Sequence, residues 1–149
     1  LPDLPVSPHP NYVTPRGLAA LQARLHARQS DLAALRARPD RLDKLPEAAA
    51  ERDIRYLESR LRSAILIDPA SLPLTAVAFG LAITVTDDAG LDTTYEITGE
   101  DEADAARYRI APQSPLARAL IGAEAGDEVT WRKPSGPVTL TIKAITRPC

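Results

Sequence analysis

Two leucine- and alanine-lined periodic runs, separated by a proline-bounded turn, leave the first half of this chain little choice of fold. Leu18, Leu21, Leu25, Leu32 and Leu35 recur at spacings of three and four, with Arg28 in one seam position. A second run, Ala50, Ile54, Leu57, Leu61 and Ala64, alternates spacings of four and three. Both are the narrow apolar stripe of a helix that packs on one close partner. Thr14 followed by Pro15 is a helix start, because the hydroxyl can cap free N–H groups and proline suits the first helical position. Pro39 ends the first helix by removing a donor and clashing with the preceding turn. The pattern predicts two helices of roughly 20 to 24 residues, each about 30 to 36 Å long, joined by the turn Pro39–Pro46 into an antiparallel coiled-coil hairpin over residues 14–68.

Ahead of the hairpin, residues 1–13 carry Pro2, Pro5, Pro8 and Pro10, a density that excludes helix and predicts an extended, mobile tail. The chain contains no Met and begins at Leu1, so a native N-terminal segment is expected before it. Beyond Asp68-Pro69 the pattern changes to strands. Ala78–Thr86 alternates around Phe79, Leu81, Ile83 and Val85, Asp87–Gly90 supplies turn chemistry, and a second strand runs through Thr94–Ile97. Arg107–Ile110 adds a short strand, Pro115–Ile121 a brief helix capped by Ser114 and stopped by Gly122, and Glu128–Arg132 with Val138–Ile145 a last strand pair. The expected fold is therefore α+β, the hairpin followed by residues 69–149 as one helix on a small antiparallel sheet.

Composition excludes several functions. With 44% hydrophobic residues the chain buries a core, but aromatics are only 4%, so Leu, Ile, Val and Ala carry the packing. No apolar run approaches the roughly 20 residues that cross a bilayer, and no secretory pattern opens the chain; a soluble, cytoplasmic monomer with no membrane partner is expected. The only cysteine is Cys149, so no intrachain disulfide forms and a reducing compartment follows. Residues 14–68 hold 11 basic and 8 acidic side chains and residues 69–149 hold 7 and 11. Neither half is basic enough for a dedicated duplex-binding surface. His9 and His26 lie on the tail and first helix, and no phosphate loop or nucleophile–base set is present.

The acidic residues divide into two groups. Glu100-Asp101-Glu102-Ala103-Asp104 reads as a solvated loop at a strand end. Asp40, Asp43, Glu47 and Glu51 cluster at the hairpin tip, where carboxylates project beyond the helices and suit Mg²⁺, which takes one or two carboxylates together with waters and phosphate.

Four islands then appear in one order: Tyr95–Asp104, Ser114–Gly122, Gly126-Asp127-Glu128-Val129 and Pro134-Ser135-Gly136. With Val13–Gly17 and Ala64–Asp68 at the ends of the hairpin, they resemble the bacterial GreA/GreB transcript cleavage factors. The resemblance implies a coiled coil followed by an FKBP-like domain that docks on bacterial RNA polymerase, while the coiled coil enters the secondary channel and meets the RNA 3′ end. The polymerase remains the enzyme. Asp43 and Glu47 are the implied tip carboxylates, assisting a Mg²⁺ shared with the polymerase; no metal or other cofactor is expected on the isolated protein. Ser114, Pro115, Leu116 and Ala117 are the implied partner-binding residues, and Arg52, Arg55 and Arg60 the RNA or channel contacts. The tip departs from the family pattern by one extra residue between Asp43 and Glu47, by Pro46 and by lacking an Asn. A non-cleaving channel-binding regulator is the alternative. A prolyl isomerase is a third reading, opposed by the scarcity of aromatics (Phe79, Tyr95, Tyr108, Trp131) to line a pocket.

Overall fold

The computed structural model describes residues 1–148; Cys149, and with it the expectation placed on its thiol, lies outside them. Thr14 caps α1 (Pro15–Arg36), its hydroxyl accepting from the Gly17 N–H at 3.0 Å, and Pro15 occupies the first turn. After a loop, α2 (Leu45–Ser63) carries Pro46 in its own first turn. The Arg28–Asp53 and Arg36–Glu51 pairs, at 3.0 and 3.3 Å, fix the two helices as antiparallel. Val13, Leu21 and Leu57 are the buried centre of their contact, with Leu18, Leu25, Tyr56, Leu61 and Ala64 packed around it. This seam follows the leucine spacing.

Two short segments close the base of the hairpin. Strands β1 (Tyr12–Val13) and β2 (Ile65–Leu66) pair in parallel, and the Ile65 and Ile67 N–H groups donate to Asn11 and Val13 carbonyls. Neither strand has a sequence signature, because two residues carry no period. The tail is extended as expected but docked. Leu4 is half-buried, Asp3 pairs with Arg55 at 2.6 Å, Ser7 donates to Glu100 at 2.9 Å, and Asn11 is buried.

The remaining strands, β3 (Ala82–Thr86), β4 (Asp92–Ile97), β5 (Arg109–Ile110), β6 (Glu128–Lys133) and β7 (Gly136–Thr146), form one sheet in the order β5-β4-β3-β7-β6. Helix α3 (Pro115–Leu120) buries Leu116, Ala117 and Leu120 in the core with Val77, Leu81, Ile83, Val85, Ile97, Leu140, Ile142 and Ile145. The alternation expected from Ala78 begins only at Ala82, because the chain turns at Gly80, whose φ is +89°. The sheet is also not wholly antiparallel. Strands β4 and β5 run parallel, since two 3₁₀ turns, Glu100–Glu102 and Ala105–Arg107, carry the chain back to its starting edge and a parallel return needs a longer crossover than a hairpin.

At Gly99 the sheet end touches β1 directly: a Cβ there would lie 2.6 Å from the Tyr12 carbonyl oxygen. Backbone cannot swing aside as a side chain can. Gly99→Ala is expected to destabilise the protein by about 1–3 kcal/mol, the scale of overpacking a tight contact, measured by urea unfolding.

Candidate functional site

The hairpin tip is built by turns that use some of its carboxylates. Asp40 Oδ1 accepts from the Leu42 N–H and Asp43 Oδ1 from the Leu45 N–H, both at 3.0 Å. Such side-chain-to-backbone turns suit Asp between prolines. They leave the second oxygen of Asp43 free on an exposed side chain. Glu47 is placed differently. It is 5% exposed, and Arg41 Nε and Nη2 donate to its two oxygens at 2.8 Å each, the paired geometry a guanidinium offers a carboxylate. This hydrogen bonding, with the attraction of the Arg41, Lys44 and Arg36 charges added, holds the Glu47 carboxyl below the usual carboxylate range against the opposing effect of its burial.

That depression sets a pH window. A carboxylate whose folded pKa is lowered stabilises the closed loop above its unfolded value, about 4.3, and loses that contribution as pH falls through the folded value. The tip is therefore expected to keep this stabilisation above the free carboxylate's value and to lose it only at a pH below that value. An NMR titration of Glu47 Cδ checks this; a midpoint at or above the free value rules out the Arg41 cage.

The tip also carries apolar groups that the helical periodicity did not single out. Leu42 is 92% and Leu45 64% exposed. Their signal was position, between Pro39 and Pro46 and off both seams. Among the described residues no three His, Cys, Asp or Glu side chains converge to hold a metal. Asp43 fits as one carboxylate of a Mg²⁺ site completed by others, whereas Glu47 must first leave Arg41.

The other expected contacts separate by burial. Ser114 donates to the Ala111 carbonyl at 2.7 Å and accepts from the Ala117 N–H at 3.3 Å, and Pro115 is exposed. Leu116 and Ala117, however, are 3% and 0% exposed; the turn of α3 points them into the core, with Leu116 reaching only the wall of an open groove, so they offer a partner little surface. Beside Pro115 lies a groove of about 410 Å³ lined by Tyr95, Tyr108, Ile110 and Trp131. Tyr95 meets Tyr108 and Trp131 edge-on, with ring centroids 5.8 and 6.3 Å apart, and Lys133 Nζ sits 4.6 Å from the Trp131 ring centre. Aromatics are few in this chain, but three of them share one groove.

Arg55 is exposed and paired with Asp3, and Arg52 is half-buried beside Asp53. Arg60 does not face outward. It is 2% exposed and donates to Asp101 at 2.6 Å, to Asn11 Oδ1 at 2.7 Å and to Glu100 at 3.3 Å, which removes it from any nucleic-acid surface. Its partners correct the reading of the acidic run as a solvated loop. Tyr56 donates to Asp101 and Arg16 to Glu102, Thr14 donates to Glu102 at 2.6 Å, and Arg16 also pairs with Glu96. Burial, and then the bond to Asp101, push the Tyr56 phenol up to about 12, so it remains a donor. Only Ala103 and Asp104 of the run are exposed.

Comparison with known proteins covers the sheet more firmly than the tip. A sequence profile for "Transcription elongation factor, GreA/GreB, C-term" matches residues 72–147, from just before β3 through β7. The transcription elongation factor GreA of Pseudomonas putida is 42% identical over 101 residues, 64% of this chain and 61% of that protein. GreA of Francisella tularensis subsp. novicida is 44% identical over 94 residues, 62% and 59% of the two chains. The chain thus spans about three fifths of the length of these curated relatives. A solved structure of a prokaryotic transcription elongation factor GreA/GreB from Nitrosomonas europaea is 21% identical, with coverage of 91% and 98% and a TM-score of 0.45. The profile takes in more than half of the sequence, including β3, β4, α3 and the final strand pair, and on that match the chain belongs to the GreA/GreB family.

Proposed function

We propose that this protein is an RNA-polymerase-binding elongation factor whose hairpin enters the polymerase's secondary channel and stimulates cleavage of backtracked RNA. In this reading residues 14–68 act as a coiled-coil arm, and residues 69–149 as an FKBP-like docking domain that meets the polymerase around Ser114, Pro115 and the neighbouring aromatic groove. The protein works as a cytoplasmic monomer, and the polymerase supplies the active site. The observation that carries the proposal is Asp43, an exposed carboxylate with one free oxygen in the loop that joins the far ends of two helices about 33 and 28 Å long. The names of the curated relatives, transcription elongation factor GreA, support the partner.

The chain's own contribution is positional. Asp43 is preset by its turn to the Leu45 N–H, while Glu47 is stored on Arg41 and would join Asp43 only after giving up that pair. Arg52 and Arg55 face the channel walls or RNA, Arg55 after giving up Asp3. Asp43, and Glu47 once freed, would help hold a Mg²⁺ shared with the polymerase, which would supply charge neutralisation and polarise a water. The test is a stalled, backtracked elongation complex in Mg²⁺. Added protein is expected to shorten the RNA from its 3′ end and to do nothing to free RNA. Binding to polymerase without shortening points instead to a channel-occupying regulator.

A further inference from the structure

We propose that the acidic turn Glu100–Glu102 is an aiming clamp that fixes the direction of the hairpin relative to the sheet, with Arg60, Tyr56, Arg16 and Thr14 as its positioning residues. The proposal rests on the hairpin delivering its tip to a distant site. The apolar cluster inside the hairpin and the one inside the sheet share no residue. A Tyr12–Phe79 ring contact bridges them, with centroids 5.8 Å apart. Non-directional apolar packing therefore does little to hold the angle between the two parts.

Hydrogen bonds are directional, and three consecutive acids supply them to different elements. Glu100 takes the tail through Ser7 and the edge of α2 through Arg60. Asp101 takes α2 through Tyr56 and Arg60, which stand four apart on one helical face. Glu102 takes the start of α1 through Thr14 and Arg16. Both helices are gripped by one short turn, so neither rotation nor tilt is free. The lever is long. A 10° tilt at the base of a helix of 22 residues moves its end by about 6 Å, several times the roughly 2 Å of a Mg²⁺–oxygen bond.

Spin labels on Ala37→Cys at the tip and Thr130→Cys on β6, in a Cys149→Ser background, read the angle directly by electron–electron distance measurement. The native clamp is expected to give one narrow distance. Arg60→Gln, and separately Glu102→Gln with Tyr56→Phe, are expected to broaden it or shift it by about 6 Å. In the stalled-complex assay the same variants are expected to bind polymerase unchanged and to lose cleavage about 10²-fold, the scale of misplacing a group by an ångström. An unchanged distance distribution in variants that keep native circular dichroism and cooperative melting overturns the clamp. If Arg60→Gln does not fold, the Glu102 and Tyr56 variant, which leaves the buried guanidinium in place, decides the matter. Should the native protein fail to shorten RNA, the proposed function falls, while the distance measurement still decides the clamp.

Discussion

Replacing Arg60 with methionine is expected to lower the unfolding free energy by about 3 kcal/mol, the low end of the range for breaking a buried ion pair from one side. The cause is what the substitution leaves behind. Asp101 is only 10% exposed in its side chain and would keep its charge with Tyr56 as a donor but without its cation, while Asn11 Oδ1 would lose its guanidinium donor. Glu100, a quarter exposed at the edge of the site, gives water some access, which sets the low end rather than the high one. Burial opposes the Arg60 charge, but the hydrogen bond and charge of Asp101 more than reverse this and raise its pKa above the ordinary arginine value. Substituting both partners distinguishes a site that needs the pair from one that merely tolerates it. Arg60→Met with Asp101→Leu is expected to recover about 2 kcal/mol of the loss, because a matched apolar pair leaves no orphan charge. Urea unfolding of the two single variants and the double variant closes the cycle. Additive losses would show that the two side chains do not depend on each other.

Arg60 also shows where a sequence stops being legible. The helices could be read from leucine spacing and bounded by Thr14-Pro15 and Pro39, because those signals are local and their physics is carried by the residues themselves. The sheet was legible for the same reason from the alternation around Ile83 and Val85 and the Asp87–Gly90 turn, whose Asp87 does accept from the Ala89 and Leu91 N–H groups. What failed were residues whose role depends on a distant partner. An arginine on a helix flank looks solvent-facing until the turn 41 positions away that covers it is known. The acids at 100–102 looked like a solvated loop for the complementary reason. A pairing hint was present, since Tyr56 and Arg60 share a helical face, but nothing local named Asp101 as the acceptor. Leu116 and Ala117 failed differently: the motif spans four residues, while a helix turned toward a sheet can show only one side of them.

The tip shows the same limit within one loop. Asp43 and Glu47 look equivalent as two acids near a turn, yet the fold leaves one exposed and stores the other on Arg41. On the proposed function, Asp43→Asn is expected to slow transcript shortening about 10²-fold, the scale for removing one preorganised charge from a reacting centre. The amide still accepts from the Leu45 N–H, so the turn survives while the charge is lost. Glu47→Gln is expected to match that loss only if Glu47 leaves Arg41 to work beside Asp43, and Arg41→Ala separates the two roles. If the stored carboxylate is delivered, Arg41→Ala changes the maximal rate by no more than about threefold, since the Arg41–Glu47 pair is already broken when Glu47 works. If Glu47 serves only to close the loop, Arg41→Ala and Glu47→Gln lose equally. Delivery asks little of the fold: both Glu47 oxygens are held by one side chain of the tip loop rather than by backbone of either helix, so Glu47 would join Asp43 at a metal by giving up a single ion pair. Single-turnover shortening of the stalled transcript, measured at saturating protein for the three variants, reads the order directly; equal losses for Arg41→Ala and Glu47→Gln would leave Asp43 as the only carboxylate the hairpin delivers.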